Sequence, residues 1–122
     1  MPDVKLGTFS VSLTVKDIAV SRAFYEKLGF KAIDGKPEDG WIILQNGEAK
    51  IGLFQGMFDK NIVTFNPTDV RTIQQQLKDQ GVTLVEEAKP GDGPAHITLI
   101  DPDGNPILID QHPADYVSTP PD

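Results

Sequence analysis

The feature of this sequence that most constrains its fold is an internal repeat, in which the second half of the chain follows the first at an offset of 52 residues. Asp17 and Asp69 occupy equivalent positions, each in front of a stretch with helical periodicity. Gly29 and Gly81 end these stretches, so the two intervals have the same length. Because Asp favours the N-cap of a helix and Gly the left-handed position after its last turn, each copy predicts a capped helix between strands.

The first copy, at about residues 8–55, is predicted to be a βαβββ unit. Alternation of small hydroxyl and apolar residues from Phe9 to Val15 indicates a strand. A helix follows from the Asp17 cap to about Leu28. The remaining elements are a short strand at 30–33, a loop at 34–40, and two strands at 41–45 and 50–54 that Asn46 and Gly47 join.

The second copy, at about residues 61–111, repeats this order. Its helix is predicted from Asp69 to Gln80, with Val70, Ile73 and Leu77 on one face. A strand at 82–85 is expected by equivalence with 30–33. Residues 113–122 contain three prolines and few apolar side chains, which is typical of an extended or disordered tail.

The strongest local signal is a hairpin from His96 to Asp110 around Pro102, Asp103 and Gly104. The predicted register pairs Ile100 with Pro106, Thr98 with Leu108, and His96 with Asp110. One face then carries Ile97, Leu99, Ile107 and Ile109 and is predicted to be core. The other face carries the residues that a function on this hairpin would use: His96, Thr98, Leu108 and Asp110.

Composition sets limits on the class of protein. A chain of 122 residues is expected to be a single domain, 1–122, and without cysteine it has no thiol chemistry. Its net charge of −7 disfavours nucleic acid as a partner. No apolar run of the ~18 residues needed to span a membrane is present, and no signal peptide is recognised. We therefore predict a cytoplasmic protein with neither a membrane nor a nucleic acid as partner.

The repeat and two motifs resemble the vicinal oxygen chelate superfamily, which includes glyoxalase I, extradiol dioxygenases and bleomycin resistance proteins. The motifs are the VKDIAVSRAFYEKLGF of residues 15–30 and the DPDGNPIL of residues 101–108, and the resemblance extends over residues 8–111. It implies an α+β fold in which two tandem βαβββ modules, with one helix each, form an eight-stranded, cup-shaped half barrel. It also implies a homodimer.

Enzymes of this family hold a divalent metal ion inside the cup, with ligands on the first and last strands of each module. Carried over residue by residue, these positions fall on Ser10, on Ile62 or Asn61, on Ile51 or Gly52, and on Leu108. None of these residues is a strong ligand for a hard or borderline divalent ion. The resemblance therefore implies a scaffold that lacks the family's metal site, and we predict no metal and no cofactor.

A ligand held in the cup would contact the residues predicted to face it: Ser10, Ser12, Trp41, Gly52, Phe54, His96, Thr98, Leu108 and Asp110. Small side chains leave volume for a ligand, and Trp41 and Phe54 can stack on a planar or cationic group. The alternative is that the aromatic rings fill the core and the hydroxyl groups face solvent. The acidic loop at 34–39 and Glu86 with Glu87 are either solvated surface or a rim that favours cations.

His96 and Asp110 are the candidate catalytic residues, since a carboxylate can orient an imidazole and tune it as a general base. The interpretation we favour is an ordinary cross-strand polar pair, and a further alternative is a displaced metal site formed with His112.

The leading hypothesis is a metal-independent protein of the glyoxalase and bleomycin resistance type that binds a neutral or cationic small molecule. A glyoxalase-like lyase or isomerase that uses His96 and Asp110, and a structural or regulatory dimer with a filled cup, are the alternatives.

Overall fold

The computed structural model of the protein describes residues 3–121. Over this part of the chain the fold is α+β, with two α-helices and seven strands. The elements are β1 Thr8–Val15, α1 Ile18–Lys27, β2 Lys31–Lys36, β3 Trp41–Asn46, β4 Ala49–Gln55, β5 Ile62–Asn66, α2 Val70–Asp79, β6 Ala95–Ile100 and β7 Pro106–Gln111. A short 3-10 turn, Pro37–Asp39, precedes β3. The predicted limits of the domain, residues 1 and 122, lie outside the described residues.

The chain forms two compact units. The first unit contains Ser10–Asn61 together with the chain from Val117 onward. The second unit contains Ile62–Tyr116 together with the chain up to Phe9. Within the described residues, neither helix is long and apolar enough to cross a membrane.

In the first unit, β1 is parallel to β4, and β3 is antiparallel to both β4 and β2. Helix α1 covers one face, where Ile18, Ile42, Leu44 and Leu53 form the buried core. Strand β2 is longer than the predicted strand at 30–33 and includes part of the predicted loop. The cause is a register shift between Ala32 and Asp34, which lets pairing with β3 continue to Lys36.

In the second unit, β5 is parallel to β7, and β6 is antiparallel to β7. Its core contains Val70 and Ile73 from α2 with Ala95, Ile97 and Ile109 from the strands. The strand predicted at 82–85 is wrong: these residues belong to no strand, and the next residue, Glu86, forms an isolated bridge with Thr98.

Helix α2 binds the backbone of the residues that follow this bridge. The backbone N–H of Ala88 donates to Gln74 Oε1 at 2.7 Å, and Arg71 Nε donates to the carbonyl of Lys89 at 3.0 Å. Since these backbone groups bond to helix side chains, the ladder beside β6 ends after the bridge at Glu86. The described residues therefore form seven strands rather than the eight predicted.

The predicted hairpin register is confirmed. Strands β6 and β7 pair His96 with Asp110, Thr98 with Leu108, and Ile100 with Pro106. In the turn, Gly104 has φ +88° and its N–H donates to the Asp101 carbonyl at 3.0 Å. Hydrogen bonds from the side chain and backbone of Asn105 to the Asp101 carboxylate lower the pKa of Asp101. The turn is thus stabilised by hydrogen bonds to the Asp101 side chain in addition to its backbone hydrogen bond.

Both helices begin and end where the repeat predicts. Asp17 and Asp69 are the N-caps, and their carboxylates accept hydrogen bonds from backbone N–H groups in the first turn. A glutamine from the last strand of each unit adds a second acceptor. Gln55 Oε1 accepts from Ile18 N at 2.8 Å, and Gln111 Oε1 accepts from Val70 N at 2.9 Å. These glutamines join each helix to the strand that closes its unit.

Candidate functional site

The second unit contains a cavity of about 390 Å³ where β6 begins and β7 ends, which we call the His96 cavity. Its strand residues are Ala95, His96, Asp110 and Gln111, and its remaining wall comes from Glu86, Glu87, Lys89 and Pro94. His96 and Asp110 reach it because they share the face of the hairpin that points away from α2. The structure thus brings the two predicted catalytic residues to one cavity.

The carboxylate within ion-pair distance of His96 belongs to Glu86, not to Asp110. Glu86 Oε2 lies 3.5 Å from His96 Nε2, and Glu86 Oε1 accepts a hydrogen bond from the Thr98 hydroxyl at 3.2 Å. The bridge between Glu86 and Thr98 places the Glu86 side chain beside β6, so one carboxylate bonds to two residues of the same strand. Glu86 therefore occupies the position that the sequence assigned to Asp110.

Asp110 is associated with His112 instead. Asp110 Oδ2 lies 3.5 Å from His112 Nε2, and the same ring nitrogen is 3.2 Å from Asn66 Nδ2. Asn66 Nδ2 also donates to the backbone carbonyl of Asp110 at 2.9 Å. The two histidines thus belong to separate polar groups, one with Glu86 and one with Asp110 and Asn66.

The wall of the His96 cavity is held by helix α2 and by β7. Arg71 Nη1 donates to the carbonyl of Gly93 at 2.7 Å, and Gln111 Nε2 lies 3.5 Å from the same oxygen. Lys78 forms an ion pair with Glu87. The segment from Glu86 to Gly93 is thus bonded to α2 and β7 at several points, while the side chains of Glu86 and His96 stay exposed at the cavity.

The candidate ligand residues of the first unit lie on the face of its strands that points away from α1. Register partners place Ser12 beside Gly52, and Trp41 beside Phe54. Ser10, Ser12 and Gly52 are buried, and Trp41 is half-buried. The small side chains there are therefore not an exposed lining.

Phe54 covers this face at its centre. A Cβ atom added to Gly52 would lie 2.5 Å from Phe54 Cε2 and 3.2 Å from Ile43 Cδ1, so the ring lies directly on the glycine. Phe54 also packs against Phe58, with ring centroids 5.3 Å apart. The volume that Gly52 leaves is therefore filled by the protein's own phenyl ring.

The chain from Val117 onward contacts the same unit. The backbone N–H of Thr119 donates to Asp34 Oδ1 at 3.2 Å, and Asp34 is buried. The predicted tail thus has a fixed contact with β2 in its described part.

The positions that would carry a metal in this fold do not fit a divalent ion. Ser10 supplies a buried hydroxyl group, while Ile62, Ile51 or Gly52, and Leu108 supply no side-chain donor. Asn61, the alternative to Ile62, uses its Oδ1 to accept a hydrogen bond from Thr14 N at 3.0 Å. Between residues 3 and 121, no group of three or more His, Asp or Glu side chains is placed to hold a metal, and this includes His96, Asp110 and His112.

Arg71 and Gln111 were not predicted from the sequence, and Glu86 was predicted only as a possible rim residue, not as the partner of His96. Glu86 had a usable signal, because the repeat places residues 82–85 next to the hairpin and so brings the following acid close to it. Arg71 and Gln111 had none, since their roles depend on carbonyl groups of a loop whose path the sequence pattern does not specify. Thr98 contacts Glu86, and Leu108 lies opposite Thr98 in the register.

Comparisons with known proteins agree on the fold. Residues 7–109 match the family model of the Glyoxalase/Bleomycin resistance protein/Dioxygenase superfamily. Among solved structures, the chain is similar to a member of that superfamily from Vibrio splendidus 12B01, with 19% identity and a TM-score of 0.64 over 84% of this chain and 97% of that chain.

It is also similar to methylmalonyl-CoA epimerase from Mycobacterium tuberculosis, with 19% identity and a TM-score of 0.62 over 92% of this chain and 93% of that chain. A structure described as NAD-dependent benzaldehyde dehydrogenase from Legionella pneumophila matches with 18% identity and a TM-score of 0.66, over 85% of this chain and 98% of that chain. At these identities the likeness shows a shared fold. The comparison with curated proteins found no significant match.

Proposed function

Because this chain belongs to the Glyoxalase/Bleomycin resistance protein/Dioxygenase superfamily, we propose that it is a small-molecule binding protein that holds its ligand without a metal ion. The observation that carries the proposal is the His96 cavity, which collects ionisable side chains around about 390 Å³ of space. Its volume is in the range of small-ligand sites, and its polar, largely exposed lining suits a charged ligand. The residues at the family's metal positions, such as Ser10 and Leu108, are not strong metal ligands, and this supports binding that needs no metal.

The second unit is the better place for the ligand. In the first unit the phenyl ring of Phe54 lies on Gly52, and Thr119 bonds to Asp34. In the second unit His96 and Asp110 line open space. We therefore assign the primary contacts to His96, Asp110 and Glu86, with Thr98 holding the Glu86 carboxylate.

The charge of the cavity favours a cationic ligand. Glu86, Glu87 and Asp110 contribute three carboxylates to the lining, against one ammonium group from Lys89. Lys78 offsets Glu87 from outside the lining. Since carboxylates bind protonated amines and guanidinium groups through charge-assisted hydrogen bonds, Glu86 and Asp110 would accept from such a ligand.

Thermal unfolding with added ligands tests this proposal. The probes are bleomycin and a series of protonated diamines, each with EDTA present. A ligand that binds only the folded protein stabilises it by RT ln(1 + [L]/Kd), about 2.7 kcal/mol at a hundred times Kd, which raises Tm by several degrees. We expect at least one cationic probe to raise Tm and the uncharged analogues to have a smaller effect.

Variants of the cavity connect the shift to the site. Asp110→Asn and Glu86→Gln remove one negative charge each and should weaken binding of a cationic probe about tenfold or more. The matched control is Asp103→Asn, which makes the same charge change in the exposed turn outside the cavity. Equal losses in all three variants would indicate nonspecific attraction to an acidic protein. No shift with any probe would favour the third hypothesis, a protein with a filled cup.

An enzymatic role is the second candidate, and the contact between Glu86 and His96 supports it. A carboxylate 3.5 Å from one ring nitrogen can orient an imidazole whose other nitrogen takes a proton. This arrangement suits a lyase or isomerase that removes a proton next to a carbonyl group, with Glu86 orienting the base and Asp110 binding substrate.

Deuterium exchange from solvent into small α-carbonyl compounds, followed by NMR, tests that role. Exchange that His96→Ala abolishes and that His112→Ala leaves intact would support His96 as the base. Exchange that persists in His96→Ala would remove the assignment.

A further inference from the structure

Where β5 and β7 end, the second unit has another cavity of about 350 Å³, which we call the His112 cavity. Of the described residues, those that line it carry amide, hydroxyl, apolar and aromatic side chains: Asn66, Pro67, Thr68, Gln111, His112, Pro113, Ala114 and Tyr116. The lining of the His96 cavity contains carboxylates instead, and the two cavities adjoin because Gln111 lines both. The two cavities therefore suit different chemical groups.

The walls of the His112 cavity are held by hydrogen bonds. The backbone N–H of Tyr116 donates to the carbonyl of Pro113 at 3.0 Å, so the start of the predicted tail is a closed turn. Asn66 Nδ2 lies 3.2 Å from His112 Nε2 and donates to the carbonyl of Asp110 at 2.9 Å. The first residues of the predicted tail thus belong to the folded unit, and the His112 ring is held beside β5.

His112 and Tyr116 form an aromatic pair at the cavity. Their ring centroids are 4.8 Å apart, with an angle of 73° between the ring planes. Because an edge-to-face pair leaves ring faces uncovered, a further ring can stack on it. Pro67 and Pro113 add apolar ring surface to the same lining. These surfaces suit an uncharged planar group.

The repeat does not require this aromatic pair. When β4 and β7 are aligned on the glutamine that ends each strand, His112 is equivalent to Gly56 and Tyr116 to Lys60. The first unit still has the glutamine bond to the start of its helix. Tyr116 is 42% exposed, so it contributes little to the core of its own unit. The two rings are therefore specific to the unit in which they line a cavity.

Asp110 connects the two cavities. It lines the His96 cavity, and its Oδ2 lies 3.5 Å from Nε2 of His112. Two residues along an extended chain span about 7 Å, a distance that a spacer of about three carbon atoms covers. An amine bonded to Asp110 and a ring stacked beside His112 can therefore belong to one small molecule.

We propose that the His112 cavity is a second subsite, which binds an uncharged planar ring, so that the ligand of this protein is an amine that carries an aromatic ring. The amine end rests on the proposed function, because the His96 cavity holds it. The ring end rests on the aromatic pair of His112 and Tyr116 and on the prolines beside it. Two groups joined by a spacer of the right length bind more tightly than either group alone.

NMR titration with amines of equal spacer length tests this inference. Propylamine occupies only the His96 cavity, whereas 3-phenylpropylamine reaches both cavities. We expect the phenyl compound to bind at least about tenfold more tightly than propylamine. In 3-cyclohexylpropylamine the ring is of similar size but is not planar, so its gain over propylamine should be smaller.

Variants of the His112 cavity locate the phenyl group. Tyr116→Ala should remove the gain from the phenyl group and leave propylamine binding unchanged, whereas Tyr116→Phe should retain the gain. Ala114→Phe fills the cavity from an exposed position and should act like Tyr116→Ala. The matched control is Phe9→Ala, which removes a half-exposed aromatic ring of the same unit from outside both linings and should retain the gain.

The outcomes separate this inference from the proposed function. The ring subsite is overturned, and the amine site stands, if the phenyl compound gains nothing or if the cyclohexyl compound gains as much. It is also overturned if the gain survives in Tyr116→Ala or Ala114→Phe, or if Phe9→Ala loses it equally. If neither amine binds, or if Asp110→Asn and Glu86→Gln leave both affinities unchanged, the proposed function fails and this inference fails with it.

Discussion

Helices α1 and α2 start in the same way and then pack differently. Each has an Asp N-cap, and the first backbone N–H of each donates a hydrogen bond to a glutamine on the last strand of its unit, Gln55 or Gln111. Helix α2 buries both Val70 and Ile73, but α1 buries only Ile18. The position of α1 equivalent to Ile73 is Ser21. The repeated bonds at the helix starts are what both units need, and the variable positions are where the units can differ in function.

The strand faces that point away from the helices show the same divergence. Gln55 and Gln111 are the last residues of β4 and β7. When the two strands are aligned on them, Gly52 is equivalent to Leu108. In the first unit the glycine is covered by Phe54. In the second unit the same face carries His96 and Asp110 at the edge of a cavity. One connectivity thus gives a filled face in one unit and an open, ionisable face in the other.

The largest predicted effect is in the helix cores. Ile73→Ala should lower the free energy of unfolding by about 2–4 kcal/mol, because it leaves a cavity around a side chain that is 2% exposed. Ser21→Ala, at the equivalent position, should change it by less than about 0.5 kcal/mol. Urea denaturation measures both. Similar losses in the two variants would mean that the two helices contribute alike to their cores.

The second largest predicted effect on stability is at the strand face of the first unit that Phe54 covers. Gly52→Ala should destabilise the protein by about 1–3 kcal/mol, since the new methyl group overlaps the Phe54 ring. Gly93→Ala is the matched control, because a Cβ there meets no atom within 4 Å. If Gly52→Ala unfolds at the same urea concentration as the wild type, the phenyl ring moves away easily and the face can open to a ligand.

The third largest predicted effect on stability is at the two glutamines that join a helix to a strand. Gln55→Ala and Gln111→Ala each leave a backbone N–H at a helix start without its side-chain acceptor, which should cost about 1 kcal/mol. Gln111 also lies near the carbonyl of Gly93 in the cavity wall, so only Gln111→Ala should also weaken binding of a ligand in the His96 cavity. Calorimetric titration with the cationic probe separates the two effects. Equal probe affinity in both variants would show that Gln111 does not support the wall.

The smallest effect is a pH dependence at the start of α2. The hydrogen bond from the Thr72 hydroxyl, with that from its backbone N–H, lowers the pKa of Asp69. A carboxyl group whose pKa falls on folding stabilises the protein above its unfolded value of about 3.9, and this contribution is lost as pH falls through the lower folded value.

Asp69→Asn keeps an acceptor at the cap but does not titrate. At pH 7 it should be less stable than the wild type by a few tenths of a kcal/mol to about 1 kcal/mol. Thermal unfolding should show this difference shrinking as the pH is lowered towards 2. A difference that is the same at pH 7 and pH 2 would mean that the Asp69 charge contributes nothing to folding.

Local chemistry explains which predictions from the sequence hold. The register of β6 and β7 follows from the turn at Pro102, Asp103 and Gly104, since loop length and a left-handed glycine fix which residues pair. The helix limits follow from Asp17 and Asp69 for the same reason, because a cap satisfies neighbouring N–H groups. Such signals act over a few residues and are visible in the sequence.

Contacts between distant residues explain the rest. The strand expected at 82–85 does not form: the next residue, Glu86, makes an isolated bridge with Thr98, and beyond it Gln74 and Arg71 bind the backbone. The pairing of His96 with Asp110 in the register suggested that Asp110 orients the His96 ring, but the carboxylate next to His96 Nε2 belongs to Glu86. Gly52 indicated free volume, and Phe54 fills it.

The sequence by itself determined the family, the helix starts and the hairpin, because repeat spacing, capping residues and turn residues act locally. Only the tertiary structure decided which acid meets which histidine, which face has space and which helix exposes apolar side chains. The sequence leaves several possible contact partners for side chains such as Glu86 and Phe54. Packing in the folded chain decides which of them each side chain contacts.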